Sequence, residues 1–234
     1  MLDQLKQIVC DANRQLVREG LVVQTWGNVS GVDRASGHLV IKPSGVPYDA
    51  MAPEHMVVVS LEAGEVVEGD LRPSSDTPTH LILYRAFKEI GGIVHTHSLY
   101  ATAWAQARRD LPALGTTHAD YFHGPVPGTR LLTASEIKQD YEANTGRVIV
   151  EKFKKLDPLH VPGVLVASHA PFAWGATVEK AVENAIVLEH LARLASETLR
   201  IKPSVKPMPR VLLDKHFLRK HGRGAYYGQK PARH

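Results

Sequence analysis

The chain reads as an α/β fold: a mixed or antiparallel sheet with helices on its faces, not a strict βαβ repeat. Three observations predict this. Helical stripes alternate with short apolar strand patterns along the 234 residues. "MVVVSLEAGEVVEG" has the form of a β-hairpin turning at Glu62-Ala63-Gly64. Two helices carry recognisable start signals, Asp76 with Pro78 for one and the capping-box spacing of Thr133 and Glu136 for the other.

In chain order, Leu2, Leu5, Ile8, Val9, Ala12 and Leu16 form a helical stripe that Gly20 can stop. "LVVQTWGNVSG" (21–31) is expected to run as a strand into a Gly/Asn/Ser loop, and "HLVIKPSG" (38–45) as a strand into a second such loop. A helix is predicted from Asp76 through Glu89. "GGIVHTHS" (91–98) is then a buried strand, followed by an Ala-rich helix over 99–108. Residues 109–132 read as irregular, with Pro112, Pro125 and Pro127, before the helix that starts near Thr133. "GVLVASHAPFAWG" (163–175) is strand, turn, strand, and 178–200 is one long amphipathic helix. A proline-rich connector (202–209) leads to a short helix near 210–221.

Composition narrows the class. Apolar content is 44 % and charged content 22 %, as in a folded globular protein. The single cysteine, Cys10, rules out an intrachain disulfide and fits a reducing compartment. The first residues lack the charged and apolar regions of a signal peptide, and no apolar run approaches a membrane span, so the expectation is a soluble cytoplasmic protein with no membrane partner. The net charge of +4 is uneven. Residues 201–234 hold nine Lys/Arg against one acid, Asp214, leaving the first 200 residues at −4. That is a mildly acidic body with a basic tail rather than a basic nucleic-acid binder. The tail could meet an anionic ligand or an acidic neighbouring subunit, or be merely solvated.

Strand alternation puts His95 and His97 on one face, about 6.6 Å apart. Two such imidazoles can converge on one ion, or stand as polar residues at the wet end of a strand. His169, where another apolar strand meets a turn, would make a third ligand, and three imidazoles with an open position suit a catalytic divalent ion. Asp76 is the best-placed carboxylate, either as a ligand or only as an N-cap; His80, His118 and His123 are weaker candidates. Three loops, "WGNVS" (26–30), "KPSG" (42–45) and "PSSD" (73–76), share small and hydroxylated residues. With Lys42 they suggest a phosphate cradle, although each alone could be an ordinary turn, and none matches a P-loop or dinucleotide fingerprint.

Taken together, "TWGNVSGVDR", "IKPSGVPY", "PSSDTPTH", "GGIVHTHS", "GTTHADYF", "PGVLVASHAPFAWG" and "LLDKHFLRKHG…AYYGQ" resemble the L-ribulose-5-phosphate 4-epimerases. These belong to the superfamily of class II sugar-phosphate aldolases and adducin-like domains. The resemblance runs from the first helix to Gln229. It implies one three-layer α/β/α domain over 1–234 with a largely antiparallel central sheet, and a homotetramer with active sites between subunits. The basic segment 202–234 would then reach a neighbour. It implies a zinc-type divalent ion at His95, His97 and His169, with Asp76 as the matching carboxylate. The sugar phosphate would lie among Gly27, Asn28, Ser44, Gly45, Ser74 and Ser75, with Lys42 close by. Asp120 and Tyr227 match the acid/base positions; Thr116, Glu142, His216 and Arg219 match positions lining the site.

The implied reaction inverts C4 of L-ribulose 5-phosphate to give D-xylulose 5-phosphate. The C4 hydrogen is not adjacent to the carbonyl, so retro-aldol cleavage of C3–C4, rotation of glycolaldehyde phosphate and re-addition replace simple proton removal. Two proton-transfer groups on opposite sides are needed, one for each epimer's hydroxyl. Related epimerases serve both arabinose and ascorbate-type sugar-acid breakdown. The rival expectations are a class II ketose-1-phosphate aldolase and a non-catalytic adducin-like binding module.

Overall fold

The computed structural model describes residues 2–227; Gln229 and the rest of the tail lie outside them. The helices are α1 (Leu2–Arg18), α2 (Thr77–Ala86), α3 (Leu99–Gln106), α4 (Thr116–Ala119), α5 (Ala134–Lys152), α6 (Val178–Ile201) and α7 (Arg210–His221). The strands are β1 (Asn28–Asp33), β2 (His38–Ile41), β3 (Val57–Ser60), β4 (Val66–Glu68), β5 (Gly92–His95), β6 (Gly163–Leu165) and β7 (Pro171–Gly175). They form one seven-stranded sheet in the order β4-β3-β2-β1-β5-β7-β6. Every pairing is antiparallel, as the hairpin and the short connections favour.

Alternation along the strands builds two cores, one on each face. Leu39, Ile41, Val57, Val59, Ile93, Phe172 and Trp174 pack with α2, α3, α5 and the second half of α6. Val29, Val40, Val58, Val94 and Ala173 face the other way, onto α1 and the first half of α6. This is the three-layer arrangement. A one-residue slip would turn Phe172 and Trp174 into the thinner layer, at a cost of roughly 1.5–3 kcal/mol for each large side chain exposed.

On the thinner face three glycines lie side by side, with Gly31 opposite Gly92 and Gly92 opposite Gly175. The start of α6 rests on this row. A Cβ on Gly92 would sit 2.5 Å from the Val178 Cα, and one on Gly175 2.7 Å from the Ala181 nitrogen. These obstructions are backbone and cannot swing away.

The structure departs from the sequence reading at several points. β1 begins only at Asn28, because the chain turns sharply before it: Gln24 and Gly27 have φ of 55° and 92°. The Tyr48 hydroxyl pins that turn by donating to the Trp26 and Gly27 carbonyls. Asn28, Val29 and Ser30 are therefore strand, not loop. β5 ends at His95, so His97 lies just past the strand. The irregular stretch contains the short α4, and α5 is interrupted at Asp140. The predicted helix starts at Thr77, but Asp76 makes no side-chain cap.

The basic C-terminal helix α7 is docked on its own chain. Leu213 is buried with Ala113 and Ala119. Phe217 is stacked between the His123 and His221 rings, with centroids 4.4 and 4.5 Å away. Asp214 pairs with His123 at 2.7 Å.

Two outcomes follow from this packing. Gly92→Ala should lower stability by about 1–3 kcal/mol, since overpacking here meets fixed backbone. Chemical denaturation measures it, and an unshifted midpoint would mean that α6 does not hold this approach. His118 is buried beside Phe122, with Nε2 2.7 Å from the Gly124 carbonyl. Burial pushes its imidazole down from 6.5 to about 4. The unfolded chain therefore binds the extra proton first, and stability falls as pH drops from about 6.5 toward 4. His118→Gln, whose amide can donate to the same carbonyl, should flatten this dependence of the denaturation midpoint.

Candidate active site

A cleft of about 520 Å³ opens where the ends of β1, β2, β5 and β7 meet the start of α2. His95, His97 and His169 stand along its wall with one ring nitrogen each, all within 4.8 Å of one another. Sheet register explains this. His95 ends β5 and lies opposite Asn28 on β1 and Phe172 on β7. His169 sits in the tight turn before β7, following Ser168 with φ 59°. Phe172 stacks on the His95 ring at 4.1 Å and 18°, fixing its plane.

The donor set suits a divalent cation. His95 Nδ1 lies 2.9 Å from the Pro171 carbonyl, which can only accept, so Nδ1 carries the hydrogen and Nε2 keeps its lone pair. Burial, then His95 and His97, push His169 down to about 3; burial also lowers His97. Ring nitrogens packed this closely, with His97 and His169 pushed toward the neutral form, are the donor arrangement a divalent cation takes. His169 Nδ1 is buried with no hydrogen-bond partner among the described residues.

Asp76 lines the same cleft but falls outside that close set. Its carboxylate accepts a 2.7 Å hydrogen bond from Asn28 Nδ2 instead of capping α2. Burial alone would raise its pKa, but the nearby His95 and His80 rings and the Asn28 donor hold it below the usual carboxylate range. His80 points away from the cleft: it is fully buried, with Nδ1 2.7 Å from the Ser30 hydroxyl, and burial drives it to about 3.

The three small-residue segments converge as expected. Gly27, Asn28, Lys42, Ser44, Gly45, Ser74 and Ser75 all line the cleft, as does Glu142. The "KPSG" and "PSSD" loops are laced together, Ser44 N–H donating to the Arg72 carbonyl and Ser74 N–H to that of Lys42. Gly27 is required by its position: its φ is 92°, and a Cβ there would lie 2.9 Å from the His95 carbonyl. Lys42 is only 2 % exposed. Its ammonium donates to the Thr25 and Pro43 carbonyls, both at 3.3 Å, and lies 4.9 Å from the Tyr48 ring centre. Burial lowers its pKa, and an anion in the cleft would offset that cost.

Other expected residues gather elsewhere. Asp120, at the end of α4, accepts hydrogen bonds from Arg219, from Nη2 at 3.0 and 2.9 Å and from Nε at 3.3 Å, and lies 3.2 Å from His216 and 3.5 Å from Lys220. Burial works to raise the Asp120 pKa, but Arg219 and His216 outweigh it and hold the carboxyl low. Tyr227 is 59 % exposed and rests on the Arg219 and Lys220 side chains. Thr116 is exposed on the same short helix as the approach to Asp120. None of Thr116, Asp120, His216, Arg219 and Tyr227 lines the histidine cleft of its own chain.

Sequence reasoning missed Thr25, Trp26 and Tyr141, which also line the cleft. Trp26 is 57 % exposed, 6.2 Å from the His97 ring, at the rim. Tyr141 is hidden in the sequence because it reads as the middle of a helix.

Fold and site together define an α/β scaffold with an antiparallel sheet and a cleft whose three clustered histidines could hold a metal ion. The sequence matches the family described as Class II Aldolase and Adducin N-terminal domain over residues 7–196, and the chain belongs to that family. More particularly, it is 56 % identical over 229 residues to proteins named L-ribulose-5-phosphate 4-epimerase UlaF from Salmonella paratyphi B and Salmonella typhi, covering 98 % of this chain and 100 % of each relative. Among solved structures, an L-fuculose 1-phosphate aldolase superposes with a TM-score of 0.78 at 26 % identity, over 91 % of this chain and 94 % of that one. YgbL from Klebsiella pneumoniae, described as a putative aldolase/epimerase/decarboxylase, shares the fold with a TM-score of 0.71 at 24 % identity, over 92 % and 98 % of the two chains. No helix among the described residues is long and apolar enough to cross a membrane.

His97→Ala removes one of the three clustered donors at a partly exposed position and should cut divalent-metal affinity by at least tenfold. Metal content after dialysis, with circular dichroism as a control for folding, checks it. Undiminished metal would exclude His97 from the ligand set.

Proposed function

We propose that the chain is an L-ribulose-5-phosphate 4-epimerase, interconverting L-ribulose 5-phosphate and D-xylulose 5-phosphate by breaking and remaking the C3–C4 bond. The observation that carries this is one cleft holding three clustered imidazoles, a buried lysine and two laced serine loops, in a chain that matches epimerases over 98 % of its length. His95, His97 and His169 hold the divalent ion, zinc by ligand preference, with Asp76 as a fourth ligand or as the carboxylate that orients them. Bound there, the ion supplies Lewis acidity to the ketose oxygens.

The remaining work belongs to the chain. Ser44, Gly45, Ser74, Ser75 and Asn28 hold the phosphate, with Lys42 balancing its charge. The cleaved aldehyde is thus tethered by its phosphate while it turns over, so the bond re-forms on its other face instead of being lost to solvent. Asp120 and Tyr227 take and return the C4 hydroxyl proton, one for each epimer, with His216 and Arg219 orienting Asp120. Neither group lines its own chain's cleft, which supports a homotetramer in which the α4–α7 face of one copy completes the cleft of the next; Thr116 would travel with it. The lone, buried Cys10 is in keeping with a cytoplasmic enzyme.

Incubating the metal-loaded protein with L-ribulose 5-phosphate should yield D-xylulose 5-phosphate. Absence of that product, with triose phosphate released from a ketose 1-phosphate, would make the protein an aldolase; no turnover and no bound metal would make it a binding module. Tyr227→Phe should lower turnover by about 10²–10⁴-fold without changing metal content, as loss of a proton-transfer group does. Wild-type turnover would remove Tyr227 from the reaction.

A further inference from the structure

The interruption of α5 is a built feature with a consequence at the cleft. Asp140 has φ −160° and ψ 77°, so the helix stops and restarts at Tyr141. Neither proline nor glycine lies at the break; a side chain holds it. Asn144, 6 % exposed, reaches back across it, its Nδ2 donating to the Glu136 carbonyl at 2.8 Å. Arg147 in turn donates to the Asn144 Oδ1 at 2.6 Å.

The restarted helix is then tied down where it meets the site. The Tyr141 carbonyl accepts from the Thr145 hydroxyl at 2.9 Å, and the Glu142 carbonyl from the Thr79 hydroxyl of α2 at 2.6 Å. Thr79 lies one turn into the helix that begins beside Asp76. Gly146 brings the two helices together, since a Cβ there would lie 2.9 Å from the Ile82 Cβ. Tyr141 and Glu142, the first two residues after the break, both line the cleft. The Tyr141 ring is centred 6.0 Å from that of His169, on the histidine side, and remains 36 % exposed.

We propose that Tyr141 is a substrate-binding residue whose phenol donates a hydrogen bond to the hydroxyketone end of the sugar phosphate, beside the metal. The inference rests on the reading of the cleft as a ketopentose-phosphate site. With the phosphate on the serine loops, the C1–C2 end is the part of the substrate left to meet the histidine side.

Tyr141→Phe keeps the ring against His169 and removes only the hydroxyl. It should raise KM for L-ribulose 5-phosphate about 3- to 10-fold, as loss of one neutral hydrogen bond does. Turnover number, bound metal and inhibition by inorganic phosphate should stay near wild type. An unchanged KM overturns the inference, as does a parallel loss of metal or phosphate binding, which marks a purely structural role. A collapse of turnover with KM unchanged also overturns it, in favour of proton transfer. If the wild-type protein does not interconvert the two sugars, the fault lies with the proposed function. Calorimetry on the metal-loaded pair with dihydroxyacetone and with inorganic phosphate then tests Tyr141 by itself: weaker dihydroxyacetone binding with equal phosphate binding supports it, and equal binding of both overturns it.

Discussion

The close approach of α6 to the glycine row Gly31–Gly92–Gly175 is the constraint on which the rest of the molecule depends. It lets a helix lie directly against β5 and β7, with the Leu5, Val9 and Val178 side chains over Gly31 of β1, and so leaves these three neighbouring strands a single workable register. Slipping β5 or β7 by one residue would push a Cβ into the backbone of Val178 or Ala181, slipping β1 would push one into those side chains, and either would turn the large apolar side chains out of their core. The same register aligns Asn28, His95 and Phe172 at the opposite end of these strands. The packing of a helix at one end of the sheet thereby sets the placement of a histidine at the other.

The active end is the electrostatic inverse of the core beneath it. It concentrates buried and half-buried groups that are expensive to leave without partners: Lys42, Asp76, Asn28 and three imidazoles. Part of the cost is met internally, through the Asn28–Asp76 hydrogen bond, the backbone carbonyls around Lys42 and the Pro171 carbonyl on His95. Part is left open, in the clustered imidazoles and in the His169 Nδ1, which has no partner among the described residues. A site built this way is preorganised for a cation and an anion together. Its groups need not reorganise when charge develops in the reaction, and that is where a low-dielectric cleft gains most.

Asp120 poses the opposite problem. Gripped by Arg219 with His216 and Lys220 near, its carboxyl is held low and is a weak base as it stands. The proton-transfer role proposed for Asp120 therefore draws on the whole cluster. The docking of α7 through Phe217, His123 and Asp214 gives that cluster a rigid backing.

Much of this was legible in the residues themselves. The alternation of apolar positions, the hairpin at Gly64 and the capping box of Thr133 and Glu136 indicated the helices and a mixed or antiparallel sheet, because periodicity and turn chemistry are local properties, while the family resemblance of the motifs pointed to the antiparallel order and to most of the cleft's lining. What the sequence could not decide is where distant segments meet. The stretch before Trp26 read as strand, yet it turns at Gln24, and the Tyr48 hydroxyl, about twenty residues on, holds the Trp26 and Gly27 carbonyls. Asp76 looked like a cap, but Asn28 claimed its carboxylate. Tyr141 looked like mid-helix surface until Asn144 and Thr79 broke and anchored α5. In each case a long-range or buried hydrogen bond overrode a local preference worth about a kcal/mol or less, and only the folded chain brings such partners together.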